Sequence, residues 1–253
     1  MARPRRRGEF HRSLSLGGRV PPVVGAIILL ILAVTVGSWL LGNKSWAALS
    51  LPHVLGGQVW RLLTWPLVQD EPLAIVFGGL AWYFFGPQLA LDYGERRFAL
   101  RMAVLTLCAG ALSLLVAFLV GLGGSFAYRG IWPLVDGLIL LWALRYPDQQ
   151  ILFFFVLPVS GRLLALLTVA TNVLYALWGI AQGGLFGVVP YVPGFAALLV
   201  AWAMSGARAQ LPLERLKLSL RDWWMEQKLR RRSRHLKVVR KGGQDGDRPR
   251  WLN

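Results

Sequence analysis

The chain has 253 residues, of which 55% are hydrophobic and only 16% are charged, and its mean hydropathy is +0.50. Soluble domains carry about 25% charged residues, so this composition excludes an ordinary water-soluble globule and predicts an integral membrane protein. The formal net charge of +16 comes mainly from the two ends of the chain, because six of the 28 Lys and Arg residues lie in 1–19 and fourteen in 208–253.

Six apolar runs are long enough to cross a membrane as helices, which requires about 20 mainly apolar residues. The first run, residues 20–41, follows a basic segment, but it is longer than the apolar part of a cleaved signal peptide, so we expect it to be retained. The other five runs are residues 72–91, 98–122, 130–144, 150–177 and 185–204. The sequence therefore predicts an all-α membrane protein built as a bundle of six transmembrane helices.

The fifth and sixth runs contain helix-breaking residues. The fifth run holds Pro158 and Gly161 and is too long for an untilted span, so part of it is predicted to kink or to lie at the membrane interface. In the sixth run, Tyr191 stands between Pro190 and Pro193. Proline removes a backbone donor and clashes with the preceding turn, so this span is predicted to be broken near Tyr191.

Lysine and arginine are concentrated in both ends of the chain and in the segment around Arg97, and such segments stay on the cytoplasmic side. Six spans agree with this, because an even number is needed to place both ends on one side. The chain is divided accordingly into a basic N-terminal tail (1–19), a membrane domain (20–206) and a basic C-terminal tail (207–253). The expected location is a bacterial inner (plasma) membrane with both termini in the cytoplasm.

Two segments outside the spans are suited to the membrane surface. Residues 42–71 carry three tryptophans, among them Trp60 beside Arg61, and are expected to lie in or on the external interface. Residues 211–228 repeat leucine and tryptophan at helical spacing, which predicts an amphipathic helix in the plane of the membrane. A basic run follows at 230–241, and the rest of the tail is expected to be disordered. Anionic phospholipid is the expected partner of this juxtamembrane tail, and nucleic acid is not expected.

Residues 57–67, Gly-Gln-Val-Trp-Arg-Leu-Leu-Thr-Trp-Pro-Leu, resemble the tryptophan-arginine motif in the first loop of rhomboid intramembrane proteases, with Trp60 and Arg61 as its central pair. Further stretches that are similar to the family, in the same order, are Trp-Tyr-Phe-Phe-Gly at 82–86, Asp-Tyr-Gly at 92–94, Arg-Tyr-Pro at 145–147 and Ile-Leu-Phe-Phe-Phe-Val-Leu-Pro-Val at 151–159. Over residues 57–204 the resemblance implies a rhomboid-like fold of six spans.

An active rhomboid needs a serine in a Gly-x-Ser-Gly turn at the start of the fourth span, and its hydroxyl must pass a proton to a histidine in the sixth span. With Gly130 and Gly137 as anchors of the match, Trp132 stands at the place of the serine. In the sixth span, Tyr191 stands before Gly194 at the place of the histidine. An indole cannot be the nucleophile, so the resemblance implies a catalytically inactive pseudoprotease.

The remaining parts of a protease site are also missing from this match. Ala74 and Gly78 stand where the resemblance implies a histidine and an asparagine that donate to the oxyanion. Of the three histidines, His53 lies in the external loop and the other two lie in the tails. A pair of His53 with the loop serine Ser125 is a displaced alternative, but a serine in a glycine-rich turn is ordinary loop chemistry. No metal and no cofactor are predicted.

Asp136 is an ionisable residue deep within a predicted span, where a carboxylate costs at least about 2.5–3.5 kcal/mol unless it is protonated or paired. We expect it to hold helices together through a hydrogen bond to Asn172, Tyr175 or Tyr191, and a functional role is the alternative. A proton or ion relay would need a second acid within the spans. The six runs contain none, which disfavours a transporter.

These features favour a rhomboid-like integral membrane protein that binds or scaffolds client transmembrane helices without cleaving them. Spans of unequal length leave a lateral opening, where a polar or unstable client helix is able to dock. Two alternatives stay open: an active rhomboid-type intramembrane serine protease with a non-standard site, and an unrelated transporter or membrane anchor. The expected partners are the lipid bilayer, anionic phospholipid and client transmembrane helices.

Overall fold

The structure is a computed structural model that describes residues 20–153 and 157–206. Both tails, with the amphipathic helix and the basic run expected in the second, lie outside the described residues. The described chain is mostly helical, with two short antiparallel strand pairs, and this agrees with the predicted all-α class apart from those strands.

The α-helices agree closely with the apolar runs in the first part of the chain. In chain order they are α1 (Pro22–Leu40), α2 (Leu51–Leu55), α3 (Arg61–Thr64), α4 (Pro72–Tyr93), α5 (Glu95–Leu119), α6 (Trp132–Arg145), α7 (Gly161–Gly183) and α8 (Val192–Met204). Two 3-10 helices are added at Ser45–Ala47 and Gly184–Tyr191. Helices α1, α4, α5 and α6 begin and end within three residues of the first four predicted runs.

Four helical segments of the described chain are long and apolar enough to cross a membrane, namely α1, α4, α5 and the continuous run Gly161–Met204. This is two fewer than the six predicted runs, and both differences have a geometric cause. Helix α6 has 14 residues, so it rises only about 21 Å against about 30 Å of hydrocarbon. The run Gly161–Met204 contains two helical arms that fold back on each other. It is one uninterrupted helical segment of the chain, although its two arms run in opposite directions.

Helix α6 is the centre of the bundle, since it packs against α4, α5, α7 and α8. A Cβ atom added to Gly137 would lie 2.8 Å from Leu105 Cδ2, which shows how closely α6 and α5 approach there. Trp142 is fully buried on α6, and its Nε1 donates a hydrogen bond of 2.6 Å to Gln88 Oε1 on α4. The short helix is thus held by its four neighbouring helices through close apolar contacts and a few internal hydrogen bonds.

Strands β1 (Leu49–Ser50) and β2 (Ala127–Tyr128) join the first loop to the segment before α6. They pair antiparallel, with Leu49 opposite Tyr128 and Ser50 opposite Ala127. Trp65 packs its ring edge-on against Tyr128, with centroids 5.7 Å apart. The first loop is therefore fixed next to the start of α6. The sequence match places the catalytic serine of an active rhomboid at this position.

The expectation of a span over 150–177 was wrong in its first part. Residues 150–153 and 157–160 form the antiparallel strands β3 (Gln150–Phe153) and β4 (Leu157–Ser160), and the helix begins only at Gly161. Ser160 caps this helix, because its side-chain oxygen accepts a hydrogen bond from the N–H of Leu163 at 3.3 Å. Pro158 has no backbone N–H to give to a helical turn, so the apolar stretch around it is better accommodated in a strand.

Helix α7, the 3-10 helix Gly184–Tyr191 and α8 form a tight antiparallel hairpin that turns at Gly184, where φ is +62°. Gly179 lies against Gly187 so closely that a Cβ atom on either glycine would overlap the carbonyl oxygen of the other. One turn further from the bend, the rings of Tyr175 and Tyr191 stack with centroids 5.9 Å apart. The 3-10 helix ends at Tyr191 and α8 follows directly, so the last run changes its helix type, without a break in the helical chain, at the place where the break was predicted.

Replacing Gly179 with alanine is expected to lower the stability of the bundle by about 1–3 kcal/mol, because the new methyl group has no space beside the backbone of Gly187. The matched control is Gly25→Ala in α1, where nothing lies within 4 Å of the added atom, so stability should stay level or rise slightly. Unfolding of both variants in detergent, followed by circular dichroism, measures the difference. Equal stability of the two variants would contradict the close approach.

Candidate functional site

The first turn of α6 is the place where the sequence match predicts an emptied catalytic site. Trp132 begins the helix with its side chain 46% exposed, and Pro133 follows without a backbone N–H. The preceding Ile131 is fully buried, and its N–H donates a 2.8 Å hydrogen bond to Gln69 Oε1. Gly130 donates its N–H to the carbonyl oxygen of Trp65 at 3.0 Å. The turn is therefore held rigidly by the first loop, with an indole exposed at its end.

The two predicted oxyanion positions have no polar side chain, and one of them, Gly78, faces apolar side-chain atoms. Ala74 and Gly78 are both buried on α4. A Cβ atom added to Gly78 would lie 2.9 Å from Ile131 Cγ2 and 3.1 Å from Ile131 Cδ1. The side chain of Ile131 therefore fills the space beside Gly78, and neither Ala74 nor Gly78 offers a side-chain donor. An oxyanion at this place would meet methyl groups, which give it no stabilisation.

Tyr191 lies on the neighbouring element, because α6 and α8 pack extensively against each other. Its ring is half-buried and stacked on Tyr175 of α7 with an interplanar angle of 13°. The two elements that would carry a serine and a histidine are thus adjacent. The positions themselves hold Trp132, which is turned partly outward, and Tyr191, which packs into the α7 hairpin.

Asp136 lies one turn along α6 from Trp132 and contacts the α7 hairpin. Asn172 Nδ2 donates to Asp136 Oδ2 at 2.9 Å and to the carbonyl oxygen of Thr168 at 3.1 Å. Gly194 of α8 packs so close to this pair that an added Cβ atom would overlap Asn172 Oδ1 and lie 3.7 Å from Asp136 Oδ2. The expected hydrogen bond to Asn172 is therefore confirmed, and it joins α6 and α7 at a point where α8 has no side chain.

Tyr128, in strand β2 outside the helices, is the titratable group that Asp136 affects. Burial, and secondarily the charge of Asp136, raise the pKa of Tyr128 well above its usual value. The phenol therefore keeps its proton across the physiological range. The surroundings of Asp136 thus contain the phenol of Tyr128 and the amide of Asn172, both of which are neutral.

Arg61 of the tryptophan-arginine motif is a structural residue of the first loop. Only 6% of it is exposed, and its guanidinium donates to the carbonyl oxygens of Ser45 at 2.6 Å and Ala48 at 2.8 Å and to Gln58 Oε1 at 2.7 Å. Trp60 beside it is 51% exposed. The buried cation of the motif thus holds residues 45–48 against residues 58–61, while the indole of Trp60 is available to the membrane interface.

His53 and Ser125, the alternative pair considered from the sequence, do not form a hydrogen bond with each other. His53 instead lies within hydrogen-bond distance of Ser50. Ser125 donates its hydroxyl to the carbonyl oxygen of Leu122 at 3.2 Å, whereas His53 Nδ1 lies 3.2 Å from the hydroxyl of Ser50. Sequence reasoning missed Ser50, although a serine three residues before a histidine at a helix start is a readable signal. Within the described residues no carboxylate is hydrogen-bonded to His53, so this pair lacks the third group of a triad.

Two further interactions near the site could not be read from the sequence. Arg129 Nε donates to both carboxylate oxygens of Asp70, at 2.8 and 2.9 Å. This ion pair joins the segments that precede α6 and α4. Gln69 is almost fully buried and, besides accepting from Ile131, donates to the carbonyl oxygen of Pro66 at 2.7 Å. Their partners lie up to 62 positions away along the chain, which no local pattern reveals.

The lipid-facing side of the bundle is incomplete beside α6. Helices α4 and α7 each pack against α6, but in the described chain they form no extensive interface with each other. A groove of about 450 Å³ runs along α7 and is lined by Thr171, Leu174, Tyr175 and Trp178. Across residues 20–153 and 157–206, no group of three or more His, Cys, Asp or Glu side chains is placed to hold a metal ion.

Comparison with known proteins gives one informative result. The family model described as Rhomboid domain matches residues 56–206, which is more than half of the chain. No curated protein matches the chain. The matched range begins just before the tryptophan-arginine motif and ends with the turn after α8, so it contains Trp132, Asp136 and Tyr191 but not the pair of Ser50 and His53.

Proposed function

We propose that this chain, which belongs to the rhomboid family, is a catalytically inactive member that binds partner transmembrane helices without cleaving them. Membership makes the protein an integral membrane protein of a family whose members are normally serine intramembrane proteases. The departure from that chemistry is the proposal. It depends on the first turn of α6 and on the residues that pack around it.

The observation that carries the proposal is the filling of the catalytic places by residues without the needed chemistry. Trp132 offers only an indole N–H, and the phenol of Tyr191 has a reference pKa of about 10, so neither a nucleophile nor a base acts near neutral pH. Pro133 removes the backbone donor after the nucleophile position. The packing of Ile131 against Gly78 leaves no space for an oxyanion beside α4.

Helix binding without cleavage is supported by the partly exposed surface of α6 beside α4 and α7. Trp132 and the partly exposed Asp136 lie four residues apart on one face of α6, and the helices α4 and α7 that flank α6 form no extensive interface with each other. A partner helix that enters there would exchange lipid contacts for contacts with α6 and with the groove along α7. In a bilayer such association depends on close packing and on polar contacts rather than on a hydrophobic driving force.

We place six crossings in the membrane, with both termini in the cytoplasm. The two arms of the run Gly161–Met204 are antiparallel and therefore count as two crossings, and the short α6 crosses within the shell of its neighbours. Because α6 is largely surrounded by protein, it does not need to span the full hydrocarbon thickness by itself. The organism's membrane is taken to be a bacterial inner membrane, on the sequence grounds given above.

Reporter fusions test this topology. Fusions at residues 1 and 253 are expected to report a cytoplasmic position, whereas a tag inserted after Gly124, in the loop before β2, is expected to be external. The reason is that basic segments flank the first and last crossings and are retained inside. An externally exposed reporter at either terminus would contradict six crossings.

The C-terminal tail is proposed to bind anionic phospholipid, on the basis of its basic sequence alone. A synthetic peptide of residues 208–253 is expected to bind vesicles that contain anionic lipid, and to bind them more weakly as salt is raised, since surface charges are screened over about 8–10 Å at ordinary ionic strength. Co-sedimentation with anionic and neutral vesicles measures this. Equal binding to neutral vesicles would show that charge is not responsible.

The absence of proteolysis is tested with a fluorophosphonate probe that labels activated serines. The full-length protein in detergent is expected to stay unlabelled, and a reconstituted rhomboid substrate is expected to stay intact, while an active rhomboid protease serves as the positive control. Labelling that disappears in Ser50→Ala or Ser125→Ala would overturn the proposal. It would instead support an active enzyme with a displaced site, for which the pair Ser50 and His53 is the structural candidate.

The double variant Trp132→Ser with Tyr191→His extends the same experiment. It is expected to remain inactive, because Pro133 supplies no N–H and because Ile131 occupies the space beside Gly78. Efficient cleavage by this variant would show that the oxyanion site is less damaged than its packing indicates.

A further inference from the structure

Asp136 has a position unlike that of the other acidic residues in the described chain. The others lie in loops or within the first or last turn of a helix, namely Asp70, Glu71, Asp92, Glu95 and Asp148. Asp136 lies in the second turn of α6, about 6 Å along the helix axis from Trp132. Carboxyl groups inside a membrane are costly and usually face a partner of opposite charge or serve a function.

No cation of the described chain pairs with Asp136. The ion pairs within it join Lys44 and Arg129 to Asp70, Arg145 to Asp92 and Arg162 to Asp148. Each of these cations lies in a loop or at a helix end, and none is placed beside the second turn of α6. The described part of the bundle therefore holds an acidic group in its interior without supplying the matching base.

The carboxyl group also keeps unused capacity to accept hydrogen bonds. Within the described chain, Asn172 Nδ2 is its side-chain donor, and that bond goes to Oδ2. A carboxylate offers about four acceptor positions. Asp136 is partly exposed, although its helix neighbours Val135 and Gly137 are buried. Asp136 shares a face of α6 with the exposed Trp132, four residues earlier, so its remaining acceptor positions lie on a partly exposed stripe of that helix.

We infer that Asp136 recognises a lysine or arginine within the partner transmembrane helix that enters between α4 and α7. This inference rests on the proposed function, since it requires a partner helix at that place. A basic residue in the middle of a transmembrane helix is itself costly in lipid. Bringing the two charges together in a medium of low dielectric constant offsets both costs, which makes the pair selective for helices that carry such a residue.

The chemistry around Asp136 disfavours a free metal cation as the occupant. Such ions require several oxygen ligands, and Asn172 turns its NH₂ group, a donor, toward the carboxyl group. A second copy of this bundle offers no suitable base either, because the cations of its described part lie in loops or near helix ends. A partner helix with its own basic residue supplies the missing charge directly.

The test uses the full-length protein reconstituted in bilayer vesicles with synthetic single-span leucine-rich helices. One helix carries a central lysine, a second carries acetyl-lysine, which has a similar shape without the charge, and others carry leucine or aspartate. Binding is measured by energy transfer between labels on helix and protein. The lysine helix is expected to bind about tenfold more tightly than the acetyl-lysine and leucine helices, with the aspartate helix weakest.

Asp136→Asn is expected to abolish the preference for lysine over leucine, while asparagine still accepts the bond from Asn172 and so keeps the contact between α6 and α7. The control Glu71→Gln removes an exposed carboxylate outside the bundle and should keep the preference. A preference that survives Asp136→Asn overturns the inference.

Three results with the native protein alone also decide the matter. Equal binding of the lysine and leucine helices refutes recognition by Asp136 but leaves the proposed function standing. Failure of every helix to bind refutes the proposed function, and the inference with it. Equal binding of the lysine and aspartate helices excludes charge as the basis of selection, even if the Asp136→Asn variant does not fold.

Discussion

The contact between Ile131 and Gly78 is the interaction on which both the packing of α6 and the proposed loss of catalysis depend. It fixes the start of α6 against α4, because a fully buried side chain fits where the opposing helix has only a hydrogen atom. The backbone of the same turn is bonded to Gln69, which the first loop holds in place. In the proposed inactive site, Ile131 also occupies the space that an oxyanion would need. The proposal thus traces the tight packing and the loss of catalysis to one arrangement.

Polar groups inside the bundle follow from the same constraint, since hydrocarbon offers them no hydrogen-bond partners. Ser113 bonds back to the carbonyl oxygen of Ala109 on its own helix, while Trp142 reaches Gln88 on a neighbouring helix. The pair of Asp136 and Asn172 differs from these bonds, because the carboxyl group of Asp136 is able to carry a charge and keeps acceptor positions that Asn172 does not use. In a chain otherwise so economical with buried polarity, this residue is best explained by an external partner.

Much of the helical framework could be predicted from apolar length alone, since a run of about 20 such residues has few other uses. The strands β3 and β4 could not, because an unbroken apolar stretch is compatible with a strand or a helix, and the decision depends on contacts elsewhere in the fold. The replacement of catalytic residues by Trp132 and Tyr191 stays a prediction from the family's motifs. The role of Gln69 and the pair of Ser50 with His53 could not be predicted, since spatial neighbours, rather than residue type, give these side chains their partners.

The 3-10 helix before α8 also solves a problem of length. Its 8 residues rise about 2.0 Å each, against about 1.5 Å in an α-helix, so they cover about 16 Å instead of about 12 Å. Together with the 13 residues of α8, the 3-10 helix gives the second arm of the hairpin a length of about 36 Å. The 23 residues of α7, the first arm, have a similar length of about 34 Å. The longer rise of the 3-10 helix thus gives the two arms similar lengths although they contain different numbers of residues. It also sets the register in which Gly187, Tyr191 and Gly194 meet α7, so winding this segment into an α-helix would shift all three contacts together.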